Sequence, residues 1–297
     1  MEGRGEGWAR AGIVKDAGDD PDVTHLCTVI STVRFAAKGS GVTFRAGKGV
    51  GMVTKPGLPI APGEPAINPV PRRMMQAVIA ELGCSDVEIE ISIPNGEELA
   101  KKTWNPRLGI AGGLSILGTT GVVHPFSCSA WIASIHQGVD VARAIGLDHL
   151  AGCTGSTSEG AVRALYDLPL EAMIDMGDFA GGLLKYLRQH PVTRITIGGG
   201  FGKLVKLAQG SLDLHSGRSQ VDFAWLSERV PPAIGVAVAK ANTAAQVLDL
   251  CSGIGFNVGK LIADIALGTV QRTLRNAKIK PDIVVVGRQG GIVGRAG

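Results

Sequence analysis

The chain has 297 residues, 45% apolar and 19% charged, with 43 glycines and only 4% aromatics. That is a globular composition, long enough for two domains or one large one, and it excludes an extended disordered tail. The net charge of +4 comes without a dense Lys/Arg block, which with so few aromatics argues against a nucleic-acid stripe or base-stacking platform.

The chain opens on "MEGRGEGWARAG", which lacks the apolar core of a secretory signal. From about Gly12 to Thr54, "TVISTVRF" and "GVTFRAG" predict strands and "DAGDDPD" a turn. The carboxylates of Asp16, Asp19, Asp20 and Asp22 suit capping of that turn better than a cation site. A Pro-rich connection follows, "TKPGLPIAPGEPAINPVPRRMM", with six prolines from Pro56 to Pro71, a composition shared by linkers and by shaped loops. Asn68-Pro69 and Pro71 mark entry into a helix predicted over about Arg72 to Leu82. The run "DVEIEISIP" alternates Val87, Ile89, Ile91 and Ile93, as a half-buried strand requires, and "PNGEEL" closes it with a turn.

After about Leu108 the texture changes. The longest weakly polar stretch, Gly109 to Val123, is broken by five glycines and is too short to cross a bilayer. "SCSAWIASIHQGVDVARAIG" has helical spacing and ends on Gly146 as a C-terminal cap. "DHLAGCTGSTSEGAVRALY" is then predicted as strand, Gly-rich turn and helix. "AMIDMGDFAGGLLKYLRQH" repeats the plan, with Asp178 placed to cap its helix, and "VTRITIGGGFGKLVKLAQG" repeats it again. Three such units predict a parallel sheet with ligands at the strand C-terminal ends. A helix "DIALGTVQRTLRNAK" and a strand "DIVVVG" come last. The fold class expected is α/β, with an α+β region over residues 1–108 and a parallel-sheet domain over 109–297. The five cysteines, Cys27, Cys84, Cys128, Cys153 and Cys251, are scattered and form no C-x-x-C pair. They predict free thiols in a reducing cytoplasm, with no disulfide framework and no metal held by the protein.

Two loops stand where a parallel sheet places ligands. "CTGSTSEG" could offer Gly155, Ser156, Thr157 and Ser158 to a carboxylate, ribose or phosphate, and in "IGGGFGKL" Gly198, Gly199 and Gly200 leave room for close approach. Neither is a P-loop, since Leu204 follows Lys203. A third string, "VLDLCSGIG" from Val247, resembles the opening of an S-adenosylmethionine-dependent methyltransferase: apolar strand, acidic residue, Gly-x-Gly. Such a loop needs an acid ending the next strand roughly 20 residues on, and further βα units. Too few residues follow Gly255 for those. The local pattern favours a helix, capped by Asn242 or Thr243, with Ala244, Val247, Leu248 and Cys251 on one face and Gly253 ending it.

Several blocks together resemble one family: "IVKDAGDDPDVTH", "GVGMVTKPGLPIAPGEPAINPVPRRMM", "GLSILGTTGVVHPFS", "IGGGFGKLVKLAQGSLDLHS" and "ANTAA". By these strings, which keep the family's order over most of the chain, it is identified as a member of the CbiD family of cobalt-precorrin-5B C(1)-methyltransferases. The resemblance implies methyl transfer from S-adenosylmethionine to carbon 1 of a cobalt tetrapyrrole in anaerobic cobalamin biosynthesis, giving cobalt-precorrin-6A. It also implies that the Pro-rich segment is a shaped surface and that the C-terminal domain is methyltransferase-like. The family's usual segment near an R-T-G-x-T-T-G-x-C-A motif is not matched by the fourteen residues ahead of Lys15.

Methyl transfer from a sulfonium requires positioning more than strong acid–base groups. With the donor at the two loops, the expected cofactor-binding residues are Gly155, Ser156, Thr157, Asp178, Gly198, Gly199 and Gly200. The substrate's acetate and propionate rim calls for cations, and those in the matching blocks are Lys15, Lys55, Arg72, Arg73, Lys203 and Lys206. Lys203 and Lys206, three apart, would share a helix face at the mouth of the loop. Asp213 and His215 are the expected pair for proton handling. His25 and His124 could approach the cobalt, which arrives only within the substrate. No nucleic acid or membrane partner is expected, and a homo-oligomer stays open. Two alternatives stand beside this reading: a non-catalytic tetrapyrrole-binding protein, and a methyltransferase acting on another substrate through the Val247 loop.

Overall fold

The computed structural model describes residues 3–297, and its contacts divide the chain between Cys128 and Ser129. In the first unit, strands β1 (Gly3–Gly5), β2 (Trp8–Val14), β3 (Thr28–Phe35), β4 (Val42–Ala46) and β5 (Met52–Val53) precede helix α1 (Pro69–Glu81). Strand β6 (Val87–Ser92), helix α2 (Gly96–Ala100) and strand β7 (Ile110–Ala111) complete it. A five-stranded sheet runs β1-β2-β3-β6-β4, antiparallel except for the parallel β6–β4 pair. The alternation from Val87 to Ile93 does what its period predicts: all four apolar side chains are buried in a core that α1 joins through Ile79.

α1 begins at Pro69, three residues ahead of the expected start, since proline at the first helical positions gives up no needed N–H. "PNGEEL" is more than a turn, because Asn95 takes a left-handed conformation (φ 62°) from which α2 starts. The Pro-rich segment is tied down as the resemblance implies. The N–H of Val53 donates to Glu64 O (3.0 Å), that of Gly63 to Val53 O (2.8 Å) and that of Ala66 to Gly51 O (2.8 Å), and Ala66 and Ile67 are fully buried. β7 pairs with β5, so residues just past Leu108 belong with the first unit. The texture of the sequence therefore changes about 20 residues before the contacts do.

The second unit starts with helix α3 (Cys128–Ala144) and strand β8 (His149–Cys153), then α4 (Ser156–Tyr166), β9 (Met173–Asp175), α5 (Ala180–Leu187), β10 (Arg194–Gly200) and α6 (Phe201–Ala208). Helices α7 (Phe223–Ser227), α8 (Pro232–Ala239), α9 (Ala244–Gly253) and α10 (Val258–Leu274) lead to β11 (Lys280–Val286) and β12 (Ile292–Ala296). The sheet order is β12-β11-β10-β8-β9. Its first four strands in chain order are parallel, as expected, and β12 adds an antiparallel edge that the sequence pattern did not suggest. Parallel strands covered on both faces need continuous apolar runs, and Ile283 to Val286 are all buried.

From β8 the chain steps outward to β9, then returns past β8 to β10 and on to β11. The connections thus reverse direction between β8 and β10, which is where open α/β sheets leave a crevice for ligands. The Val247 string is helical, as its spacing predicts: Thr243 Oγ1 caps α9 by accepting from the Gln246 N–H (3.2 Å), and Val247 and Cys251 are fully buried. Asp178 does not cap α5. Phe179 occupies the cap position without a side-chain bond, and the Asp178 carboxylate turns instead to Lys203. Among the described residues, no helix is long and apolar enough to cross a membrane.

Candidate functional site

A cavity of about 520 Å³ opens at the reversal point. The loop after β8 supplies Thr154 to Ser158, the start of α6 supplies Gly200 to Lys203, the start of α9 supplies Thr243 to Ala245 with Leu248, and the end of β11 supplies Val286 to Arg288. Three helices therefore begin at its wall, each turning unbonded N–H groups and a partial positive charge toward it. The lining contains two cations, Lys203 and Arg288, and no carboxylate. Phe201, Leu248 and Val286 give it an apolar side.

Local bonds fix this geometry. The Ser158 hydroxyl donates to Gly155 O (2.8 Å) and the Thr154 N–H to Gly198 O (3.0 Å), which shapes the turn from β8 into α4. Lys203 reaches across from α6. Its ammonium donates to Thr154 O (3.0 Å) and lies 3.0 Å from the Asp178 carboxylate. One side chain thereby ties together the loops that follow β8, β9 and β10.

Of the residues expected to hold a cofactor, Gly155, Ser156, Thr157 and Gly200 line the cavity. Gly198 and Gly199 do not. Both are buried in β10, where a Cβ on Gly198 would sit 2.6 Å from Val162 and one on Gly199 would collide with Leu204. Their lack of a side chain lets helices approach the sheet. Asp178 reaches the site only through Lys203. Lys206 does not share the cavity face with Lys203: it is buried and donates to the carbonyls of Leu214 and Ser219 (3.3 Å), anchoring the loop that follows α6. Burial, reinforced by the Lys203 charge and opposed by Asp178, pushes its pKa below the ordinary lysine value.

Asp213 and His215 sit on that loop and outside the cavity lining. The Asp213 carboxylate accepts the His215 backbone N–H (3.1 Å) and the Arg218 guanidinium, so its partners are not the imidazole. Burial works to raise the Asp213 pKa, but the Arg218 and His215 bonds outweigh it and hold it below the ordinary value. The exposed His215 ring accepts the Gly217 N–H at Nδ1 (3.1 Å). The loop joins the strand-end region through the Leu214 N–H, which donates to Asp178 O (2.8 Å).

The remaining candidates belong to the first unit. Lys15 pairs with Asp22 and donates to Thr24 Oγ1 (2.6 Å). Arg72 clamps the Pro-rich loop, bonding Ile67 O (2.9 Å), Pro65 O (3.1 Å) and Glu64 (3.2 Å) with its guanidinium over Phe44. Both act within the fold. Lys55 is half-buried, and Arg73 is exposed on α1. His25 Nδ1 accepts the Ala17 N–H (3.0 Å), and His124 is exposed. Asp16 and Asp22 accept the Gly18 (2.9 Å) and Thr24 (2.7 Å) N–H groups, the turn-capping role their sequence suggests, whereas Asp20 accepts the N–H of the distant Phe126 (3.0 Å). Sequence reasoning missed Arg288, Thr154 and the start of α9 from Thr243 to Ala245, and it set aside the Val247 string, whose Leu248 lines the cavity. Arg288 lies two residues past the end of a parallel strand, and that position was the available signal.

Comparison with known proteins adds the following. The family model described as CbiD matches residues 2–125, and the one described as CbiD, C-terminal domain, matches residues 213–297. A cobalt-precorrin-5B C(1)-methyltransferase of Paramagnetospirillum magneticum is 59% identical, covering 98% of this chain and 84% of that protein. One of Brucella anthropi is 62% identical, covering 99% and 83%. A crystal structure of a cobalamin biosynthesis protein (cbiD) from Archaeoglobus fulgidus is 29% identical, covering 72% of this chain and 67% of that one, with a TM-score of 0.33.

Proposed function

The chain belongs to the CbiD family, and from that membership we propose that it methylates carbon 1 of cobalt-precorrin-5B with S-adenosylmethionine, giving cobalt-precorrin-6A in anaerobic cobalamin biosynthesis. The observation that carries this is the identity of about 60% to curated enzymes of that name along almost the whole chain. Cobalt enters as part of the substrate. The cavity at the reversal point supports the donor's placement. Its volume falls within the range of small-molecule sites. Gly155 and Gly200 open onto it with no atom within 4 Å of an added Cβ.

S-adenosylmethionine supplies an electrophilic methyl carbon, and the chain's own residues provide position. Gly155, Ser156, Thr157 and Gly200 form the cradle. Lys203 keeps the loops after β8, β9 and β10 in one arrangement, and near-attack geometry depends on such fixed walls. Arg288 offers a cation to a carboxylate, and Phe201, Leu248 and Val286 exclude water. We assign the first unit to the substrate side, with Lys55 and Arg73 toward its carboxylate rim. Lys15 and Arg72 shape the surface that presents them. His215, with Asp213, keeps the proton-handling assignment; with Nδ1 accepting the Gly217 N–H, the neutral ring carries its proton on Nε2. The cytoplasm is the proposed compartment, in keeping with five free cysteines.

Incubating the chain with methyl-labelled S-adenosylmethionine and cobalt-precorrin-5B is expected to give one labelled, singly methylated product. Absence of label from folded protein refutes the assignment. Titration with S-adenosylhomocysteine separates it from a non-catalytic tetrapyrrole carrier, for which no binding is expected.

A further inference from the structure

The fingerprint that the Val247 string lacks is present elsewhere in the chain. In doubly wound sheets a Gly-rich turn after one strand holds a nucleoside. An acidic residue about 20 positions on, at the end of the next strand, accepts hydrogen bonds from the ribose hydroxyls. β8 ends at Cys153 and runs into the Gly155 turn. β9 ends at Asp175, the residue in register with Cys153. The Met176 N–H donates to Cys153 O (3.1 Å), holding the two strand ends side by side. Neighbouring strands lie ~4.8 Å apart, so Asp175 stands next to the Gly155 turn, on the side away from β10.

Other features agree with that position. The cavity lining contains no carboxylate, so a ribose diol finds its acid only at an adjoining strand end. Asp175 is half-buried, and its backbone is fixed from a second direction by Trp131, whose indole N–H donates to Asp175 O (3.2 Å).

Building on the donor site proposed above, we infer that Asp175 accepts the ribose hydroxyls of the donor nucleoside. The nucleoside then lies over the β8–β9 side of the Gly155 turn, and the amino-acid end extends into the cavity between Lys203 and Arg288. Asp175 sets specificity for a ribose that carries its hydroxyls.

The test is calorimetric titration of the full chain with S-adenosylhomocysteine and with its 2′,3′-dideoxy analogue. Wild type is expected to bind the dideoxy analogue at least about tenfold more weakly. Asp175→Ala should lose a similar factor for S-adenosylhomocysteine and nothing further for the analogue. Asp175→Asn, which keeps the shape and one acceptor, should lose less for the former and likewise nothing for the latter. Equal binding of S-adenosylhomocysteine by wild type and Asp175→Ala overturns the inference and leaves the donor site standing. So does an equal loss for both ligands, which would mark a structural role. If wild type binds neither ligand, the donor site and the inference fall together.

Discussion

A methyl group added to Gly199 would collide with Leu204 and press on Thr154, whereas one added to Gly200 would meet nothing within 4 Å. Two adjacent glycines therefore serve different ends. Gly199→Ala is expected to destabilise the fold by about 1–3 kcal/mol through overpacking, seen as a lower urea midpoint. Gly200→Ala, at a φ of −62° that alanine adopts freely, should leave the midpoint unchanged and weaken S-adenosylhomocysteine binding by narrowing the cavity. Sequence cannot separate the two, because which glycine of "GGG" faces a helix depends on where β10 ends. Lys203 carries a similar lesson. Its place at the mouth of the loop was legible, but its engagement with Thr154 and Asp178 belongs to three strand ends brought together by the sheet. Lys203→Met should raise the KM for S-adenosylmethionine about tenfold by loosening the cradle, and Lys203→Arg should recover part of the loss. An unchanged KM in Lys203→Met would remove the brace from the account.

At the scale of elements, the opposite end of the same sheet is held by a polar network around the buried Asp282. Asp282 of β11 accepts from Arg194 Nε (2.9 Å) and the Thr196 hydroxyl (2.8 Å) of β10, and from the Tyr166 hydroxyl (2.6 Å) at the end of α4. Arg295 of β12 donates to that Tyr166 oxygen (2.9 Å), which ties in the antiparallel edge. His149 of β8 joins through Nε2 to Thr196 Oγ1 (2.8 Å). Since that hydroxyl donates to Asp282, the imidazole is the donor to it. Burial and the nearby Arg194 charge push the His149 pKa below its ordinary 6.5, against a smaller pull from Asp282. The sign follows. As pH falls through 6.5 the unfolded imidazole takes up a proton that the folded one resists, so stability declines from there down to the folded pKa. Urea midpoints measured from pH 8 to pH 5.5 should fall more steeply for wild type than for His149→Gln, and equal slopes would remove His149 as the cause. The strands of this sheet were legible as apolar runs between glycine turns. The network was not, because His149, Thr196 and Asp282 become neighbours only through the β8-β10-β11 order, which local periodicity does not encode. β12 escaped notice for a related reason: "IVGRA" is short and carries glycine and arginine, so it becomes a strand by pairing with β11 and not by its own pattern.

For the whole molecule, the residues that line the cavity all fall between Thr154 and Arg288, inside the second unit. That unit also has its own core, in which α10 packs on β11 and β12 and buries Ile262, Ala263, Ala266 and Val270 beside Ile283 to Val286. Neither the sheet nor the cavity wall borrows a strand from residues before Cys128. A chain reduced to residues 127–297, which keeps α3 whole, should therefore unfold cooperatively and bind S-adenosylhomocysteine within about threefold of the full chain's affinity. It should give no methylated product, because the residues assigned to the substrate side are missing from it. Calorimetry and the labelled-methyl assay on the same preparation decide between outcomes. A folded fragment that fails to bind would mean that the first unit contributes to the donor site itself. A fragment that still methylates would move substrate recognition into the second unit, where Arg288 and His215 would then have to carry it.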